Sequence, residues 1–247
     1  MPDILLLLGA GIATALATGL GAIPVFFLGE RAKALRPGLI GLAVGLMSVA
    51  SVVGLLLPAL HEGAPAAVAA GVATGVLFLL LTGRVLAGRD VHFGELRGAG
   101  VGQSLLVFAV LFVHSLPEGM AMGTAYASNR AGLGLFVILA IGLQNVPEGT
   151  SVAIPMATAG FSRPTMFWAG AATSSPQPLA APLAFLAVEQ VRGLLPFSFS
   201  FAAGAMLALV ATELIPDAYK RGTRVRAALG TALGASLMLG LSSVLGV

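Results

Sequence analysis

Apolar stretches follow one another along this chain, each closed by a short knot of glycine, proline or charge. With those knots as boundaries, the pattern predicts eight helices, over roughly 3–28, 38–60, 65–87, 101–127, 132–159, 164–188, 195–217 and 225–246. An apolar run of ~20 residues crosses a bilayer once as a helix, so each is a candidate span. The connection at 61–64 is very short, whereas the longest, 88–100, is polar.

Basic residues sort these connections into two sets. If the eight helices alternate in direction, one side of the bilayer collects Arg31, Lys33, Arg36, Arg84, Arg89, Arg97, Arg163, Lys220, Arg221, Arg224 and Arg226, eleven of the 13 basic residues. The other side holds Arg130 and Arg192. Basic loops stay in the cytoplasm, so both termini are expected outside. One helix more or fewer would scramble the split. Composition agrees with many spans: 57% of the 247 residues are hydrophobic and 9% charged, against about 25% charged in soluble domains. That leaves no room for a sizeable soluble domain, and the chain reads as a single membrane domain over 1–247. The net charge of +3 then speaks for loop orientation and not for nucleic acid. Without cysteine there are no disulfides or thiolate ligands. The start Met1-Pro2-Asp3 lacks the basic region of a cleavable signal, so the first apolar stretch is expected to remain as a span.

Two polar motifs interrupt this apolar background. His114-Ser115-Leu116-Pro117-Glu118-Gly119 lies within the fourth predicted helix and Gln144-Asn145-Val146-Pro147-Glu148-Gly149 within the fifth. An ionisable group at mid-membrane depth is costly and marks a functional site by default. His114 and Glu118, four residues apart, share one helix face, as do Gln144 and Glu148. Joined by a short turn near 128–131, the two helices are antiparallel neighbours, so their polar faces can meet at one depth. Pro117 and Pro147 have no N–H and should kink their helices, freeing the carbonyls of Val113 and Leu143. Bared backbone at that depth is tolerated only in protein or a wet cavity, and broken helices mark the site in many transporters. One imidazole, two carboxylates and an amide oxygen suit a borderline divalent cation such as zinc.

This pattern resembles the ZIP family of divalent metal transporters, over essentially the whole chain, and within it the prokaryotic GufA type. The family carries His-Asn-x-Pro-Glu-Gly in its fourth helix and a second Pro-Glu-Gly in its fifth. Residues 41–58 look like its second helix and 201–216, with Ala-Ala-Gly-Ala-Met and Glu-Leu-Ile-Pro, like its seventh. The resemblance implies an all-α fold of eight membrane helices with both termini outside, and a non-enzymatic carrier in a cell membrane, here a bacterial inner membrane. Its cargo would be Zn²⁺, with Cd²⁺ able to substitute. The resemblance maps the metal ligands onto His114, Glu118, Gln144 and Glu148, with Met47 nearby. It also implies a homodimer through helices two, three, seven and eight, against which helices one, four, five and six move. A second metal in some members would involve Ser115, Asn145 and Gln177. Here Ser115 stands where Asn is typical, Asn145 where an Asp or Asn occurs, and Gln177 where a Glu would be, so Glu148 is the one anion left for a second ion. A dication would be poorly compensated there, and one well-occupied metal site is expected.

Other positions admit two readings. Met47 is either a core filler or a soft ligand that favours Zn²⁺ and Cd²⁺ over Mg²⁺ and Ca²⁺. His61 and Glu62 are either an outer entrance for metal or a solvated pair, and Glu213 and Asp217 either line an inner exit or balance Lys220 and Arg221. An intramembrane hydrolase fits poorly: metal-dependent forms need His-Glu-x-x-His, and Ser115 points ~100° away from His114 around the helix. A carrier preferring Cd²⁺, Fe²⁺ or Mn²⁺, or a non-transporting metal sensor, remains an alternative.

Overall fold

The computed structural model describes residues 1–87 and 99–247, and among these it is helical throughout, with no strand. Most of the expected polar connection at 88–100 therefore lies outside the described residues. The first helix, α1 (Pro2–Leu20), breaks at Gly21 and resumes as α2 (Ile23–Leu28). The second stretch is α3 (Ala32–Val49), a π-helical turn at Ala50–Leu56 and α4 (Leu57–Glu62). Then come α5 (Pro65–Ala87), α6 (Ala99–Ala127), α7 (Leu133–Thr158), α8 (Arg163–Thr173) and α9 (Gln177–Gln190). The chain ends with α10 (Leu195–Leu209), a second π turn at Val210–Leu214, α11 (Ile215–Ala218) and α12 (Arg224–Leu245).

Among the described residues, six helical runs are long and apolar enough to cross a membrane: Pro2–Leu28, Ala32–Glu62, Pro65–Val85, Leu133–Thr158, Arg192–Ala218 and Arg224–Leu245. The fourth expected span corresponds to α6, 29 residues long. The sixth is interrupted. Pro176 and Pro178 cannot donate to a helical ladder, and the preceding Ser174 and Ser175 compete with it for hydrogen bonds. The break leaves α8 with 11 residues and α9 with 14, each too short to span alone.

Both π turns stand just before a proline, Pro58 in one case and Pro216 in the other. A helical proline loses its own N–H bond and its ring presses on the carbonyl four residues back. Those carbonyls, of Gly54 and Thr212, both lie inside the π turns, where the wider winding relieves the clash.

Helix pairing follows small residues. Helix α3 packs along α12, α5 along α10, α6 against α7 and α9, and α1 against α7, α8 and α9. At the α3–α12 crossing a Cβ on Gly45 would fall on the Thr231 carbonyl oxygen and stand 2.6 Å from the Ala235 nitrogen. Without a hydrophobic drive between helices in lipid, such close backbone approach is a main source of association. Gly45→Ala is therefore expected to destabilise the fold by about 1–3 kcal/mol through overpacking, read as a lower unfolding midpoint in detergent.

Candidate metal centre

The two polar motifs lie inside continuous helices, α6 and α7, at their mutual contact. His114 and Glu118, one turn apart on α6, are both fully buried; Glu148 on α7 is 4% exposed. Each offers a ligand atom within 4.8 Å of the other two. His114 Nε2 lies 3.5 Å from Glu118 Oε1. Gln144, one turn before Glu148, donates its side-chain amide to the same carboxylate oxygen. That turns the Gln144 amide oxygen away from Glu118.

The glycines of the two motifs seat neighbouring helices. A Cβ on Gly119 would stand 2.9 Å from the Gln177 Cα, at the start of α9. A Cβ on Gly149 would overlap the Thr18 carbonyl oxygen of α1. So α9 and α1 are drawn directly onto the carboxylates. From α9, Gln177 donates to Glu118 Oε2 at 2.7 Å. Its amide oxygen accepts from Thr14 Oγ1 at 2.6 Å and from Asn145 Nδ2 at 3.2 Å. Asn145 also donates to the Thr14 carbonyl at 2.8 Å. One turn along α1, the Thr18 hydroxyl meets Ser174 at 2.6 Å. Glu118 is thus held by two amides, and four helices, α1, α6, α7 and α9, meet at one point.

Several buried polar atoms in this cluster have no hydrogen-bond partner among the described residues: Nδ1 and Nε2 of His114, Oε1 of Gln144, Oδ1 of Asn145 and Oε1 of Glu148. Buried polar atoms are otherwise nearly always paired. Two carboxylates this close repel in a low-dielectric interior. An imidazole nitrogen, carboxylate oxygens and an amide oxygen are ligands a borderline dication accepts, so the donor set, its charge and its lone pairs all call for a cation.

The other candidate residues lie partly at this cluster and partly away from it. Met47 is fully buried within the apolar core of α3. Ser115 donates to the Leu111 carbonyl of its own helix at 2.9 Å. Asn145 and Gln177 belong to the amide network just described. His61 and Glu62 are exposed at the end of α4, with His61 on the rim of a ≈ 210 Å³ cleft that Arg130 also lines. Glu213 and Asp217 line a cavity of ≈ 230 Å³ that also contains Glu148. Sequence reasoning missed Thr14, Thr18 and Ser174. For the two threonines the one signal was hydroxyls spaced i, i+4 in an otherwise apolar helix, which is also a common helix–helix packing pattern.

A family profile described as ZIP zinc transporter matches residues 88–242, well over half the chain. The chain belongs to the ZIP family. It is 36% identical over 258 aligned residues to the zinc transporter GufA of Myxococcus xanthus, covering 97% of this chain and 100% of that protein. The zinc transporter ZIPB of Bordetella bronchiseptica is 30% identical, with 96% of this chain and 80% of ZIPB aligned. A candidate zinc transporter of Arabidopsis thaliana is 35% identical over 94% of this chain, which spans 38% of that longer protein. These relatives are named as transporters, not enzymes, and support placement in the GufA-like subgroup. With its apolar helices, this ZIP chain is a multi-pass membrane protein.

Proposed function

We propose that this chain carries a divalent metal ion, Zn²⁺ above others, across a bacterial inner membrane into the cytoplasm by alternating access. The observation that carries the reading is the buried convergence of His114, Glu118 and Glu148 with unpartnered lone pairs. The names of the relatives support zinc as cargo. In this reading residues 1–247 form one domain of eight spans, in which α6 and the α8–α9 pair complete the set, with both termini outside. Pro117 and Pro147 kink their helices beside the site. The cargo is held by His114, Glu118, Gln144 and Glu148, with Met47 as a soft neighbour; Cd²⁺ substitutes. Asn145 and Gln177, with Ser115, offer at most a weak second position, because their charge is neutral. Metal arrives past His61 and Glu62 and leaves past Glu213 and Asp217. Helices α1 and α6–α9 move as a unit against α3–α5 and α10–α12, through which two copies pair. Rocking of one bundle against another around a midplane site is a common transporter solution.

The test is metal-dependent uptake into proteoliposomes with a panel of divalent ions. Zn²⁺ flux is expected in the intact chain, and at least a tenfold loss in His114→Ala, since the imidazole is the one nitrogen ligand in the site. Full flux in His114→Ala, or none in the intact chain, would sink the reading.

A further inference from the structure

The ≈ 230 Å³ cavity reaches from Glu148 of the buried triad to the partly exposed side chains of Asp217 and Arg36. Its lining includes Glu148 and Ser151 of α7, Glu213 of the second π turn, Asp217 of α11, and Arg36 of α3. Glu148 is 4% exposed and its Oε1 has no partner. Further out, the side chains of Asp217 and Arg36 are 24% and 32% exposed. Three carboxylates and one guanidinium therefore share one small space that leads from the buried triad toward solvent.

Asp217 is fully occupied by cations. Its Oδ2 meets Arg36 Nη2 at 2.7 Å, and its Oδ1 accepts from Lys220 Nζ. Arg36, by contrast, is loosely engaged: its Nε is buried without a hydrogen-bond partner. A guanidinium presents five donors in a rigid fork and is most strongly held when it grips a carboxylate with two of them. In Arg36 the Nε takes no part in the grip, so the fork is not fully used and a competing cation can open this pair. Arginine is also the basic side chain that stays charged under all physiological conditions.

We propose that Arg36 is a built-in counter-cation that latches the inner vestibule: paired with Asp217, it withholds that carboxylate from metal and guards the path to Glu148. Cargo leaving Glu148 meets a resident positive charge and must displace it, and a cytoplasmic cation moving inward meets the same barrier. The vestibule therefore passes a dication on instead of storing it. The inference rests on the transport reading, because it assigns Glu213 and Asp217 to the exit.

Equilibrium Zn²⁺ binding to the detergent-solubilised full chain tests it. Arg36→Gln is expected to bind one more equivalent than the intact chain, at the Asp217 oxygen it releases, Oδ2, together with the neighbouring vestibular carboxylates, while Lys220 stays on Oδ1. Arg36→Gln combined with Asp217→Asn should return to the original number, and Arg36→Lys, which keeps the pair, should never depart from it. An unchanged count in Arg36→Gln, or an extra equivalent that survives Asp217→Asn, overturns the proposal. An ion pair that only braces α3 against α11 would lower the unfolding midpoint without altering the count. Should Arg36→Gln fail to fold, Asp217→Asn alone decides. Arg36 then stands without its carboxylate in the cavity that Glu148 also lines and should weaken Zn²⁺ binding at the triad about tenfold by like-charge repulsion; unchanged affinity overturns the latch. Absence of flux in the intact chain would defeat the transport reading, whereas the binding count judges Arg36 by itself.

Discussion

Replacing Glu148 by alanine is expected to lower Zn²⁺ uptake about 100-fold or more while leaving the fold intact. Glu148 is buried, its Oε1 has no hydrogen-bond partner, and its carboxylate faces His114 and Glu118 within 4.8 Å. Removing it leaves a dication with one carboxylate in a low-dielectric site. Stripping one partner from a buried charge costs about 3–5 kcal/mol, which is two to more than three orders of magnitude in affinity. The metal-free protein should tolerate the change, because alanine removes an anion whose neighbour is another anion. Its unfolding midpoint without metal should stay level or rise, while the stabilisation brought by Zn²⁺ should largely disappear. Glu148→Gln separates charge from shape: it keeps the volume and an oxygen ligand but not the negative charge, so it should lose nearly as much uptake. If Glu148→Gln transports normally, charge compensation is not what Glu148 supplies.

The second large effect is expected at Gln177→Glu. Gln177 donates to Glu118 Oε2 at 2.7 Å and accepts from Thr14 and Asn145. A glutamate of the same length keeps the two acceptor contacts, but it turns the donor facing Glu118 into an oxygen. Two buried carboxylates then oppose each other without a proton or metal between them. The metal-free protein should be destabilised by about 3 kcal/mol or more, the order of cost of an uncompensated buried charge. Zn²⁺ should recover that loss. With Asn145 Oδ1 unpartnered alongside, a second equivalent of metal should bind next to the first. The measurements are the unfolding midpoint with and without Zn²⁺ and the number of ions bound. A midpoint insensitive to the substitution, with a single ion bound, would show that the Gln177 amide does not keep the centre mononuclear.

The repeated motif was readable in the chain because helical geometry ties residues four apart to one face. That places His114 with Glu118, and Gln144 with Glu148, before any tertiary contact is known. The membrane class was equally plain, since apolar runs and the lopsided distribution of basic residues depend on local composition alone. The interruption of the sixth stretch carried a signal too, in Pro176 and Pro178, but the apolar residues on either side concealed it. What helix periodicity could not disclose was which faces of different helices touch. The grip of Gln177 on Glu118, and the meeting of Thr14 with Asn145, depend on α9 and α1 approaching the backbone at Gly119 and Gly149. Proline and glutamate in each motif had obvious chemical roles, but the role of each glycine became clear only when the helix seated on it was seen.

By itself, then, the sequence determined that this protein lives in a bilayer and that two carboxylates and an imidazole are buried there in register, because burial in lipid and the 3.6-residue repeat act along the chain. Tertiary structure alone decided how the site is wired. It surrounds Glu118 with two amides, leaves Glu148 facing a cavity, and stations Arg36 against Asp217 at that cavity's far end. Those arrangements link residues far apart in the chain. Their geometry is set by where small residues let helices cross, and a list of residues does not contain the crossing points.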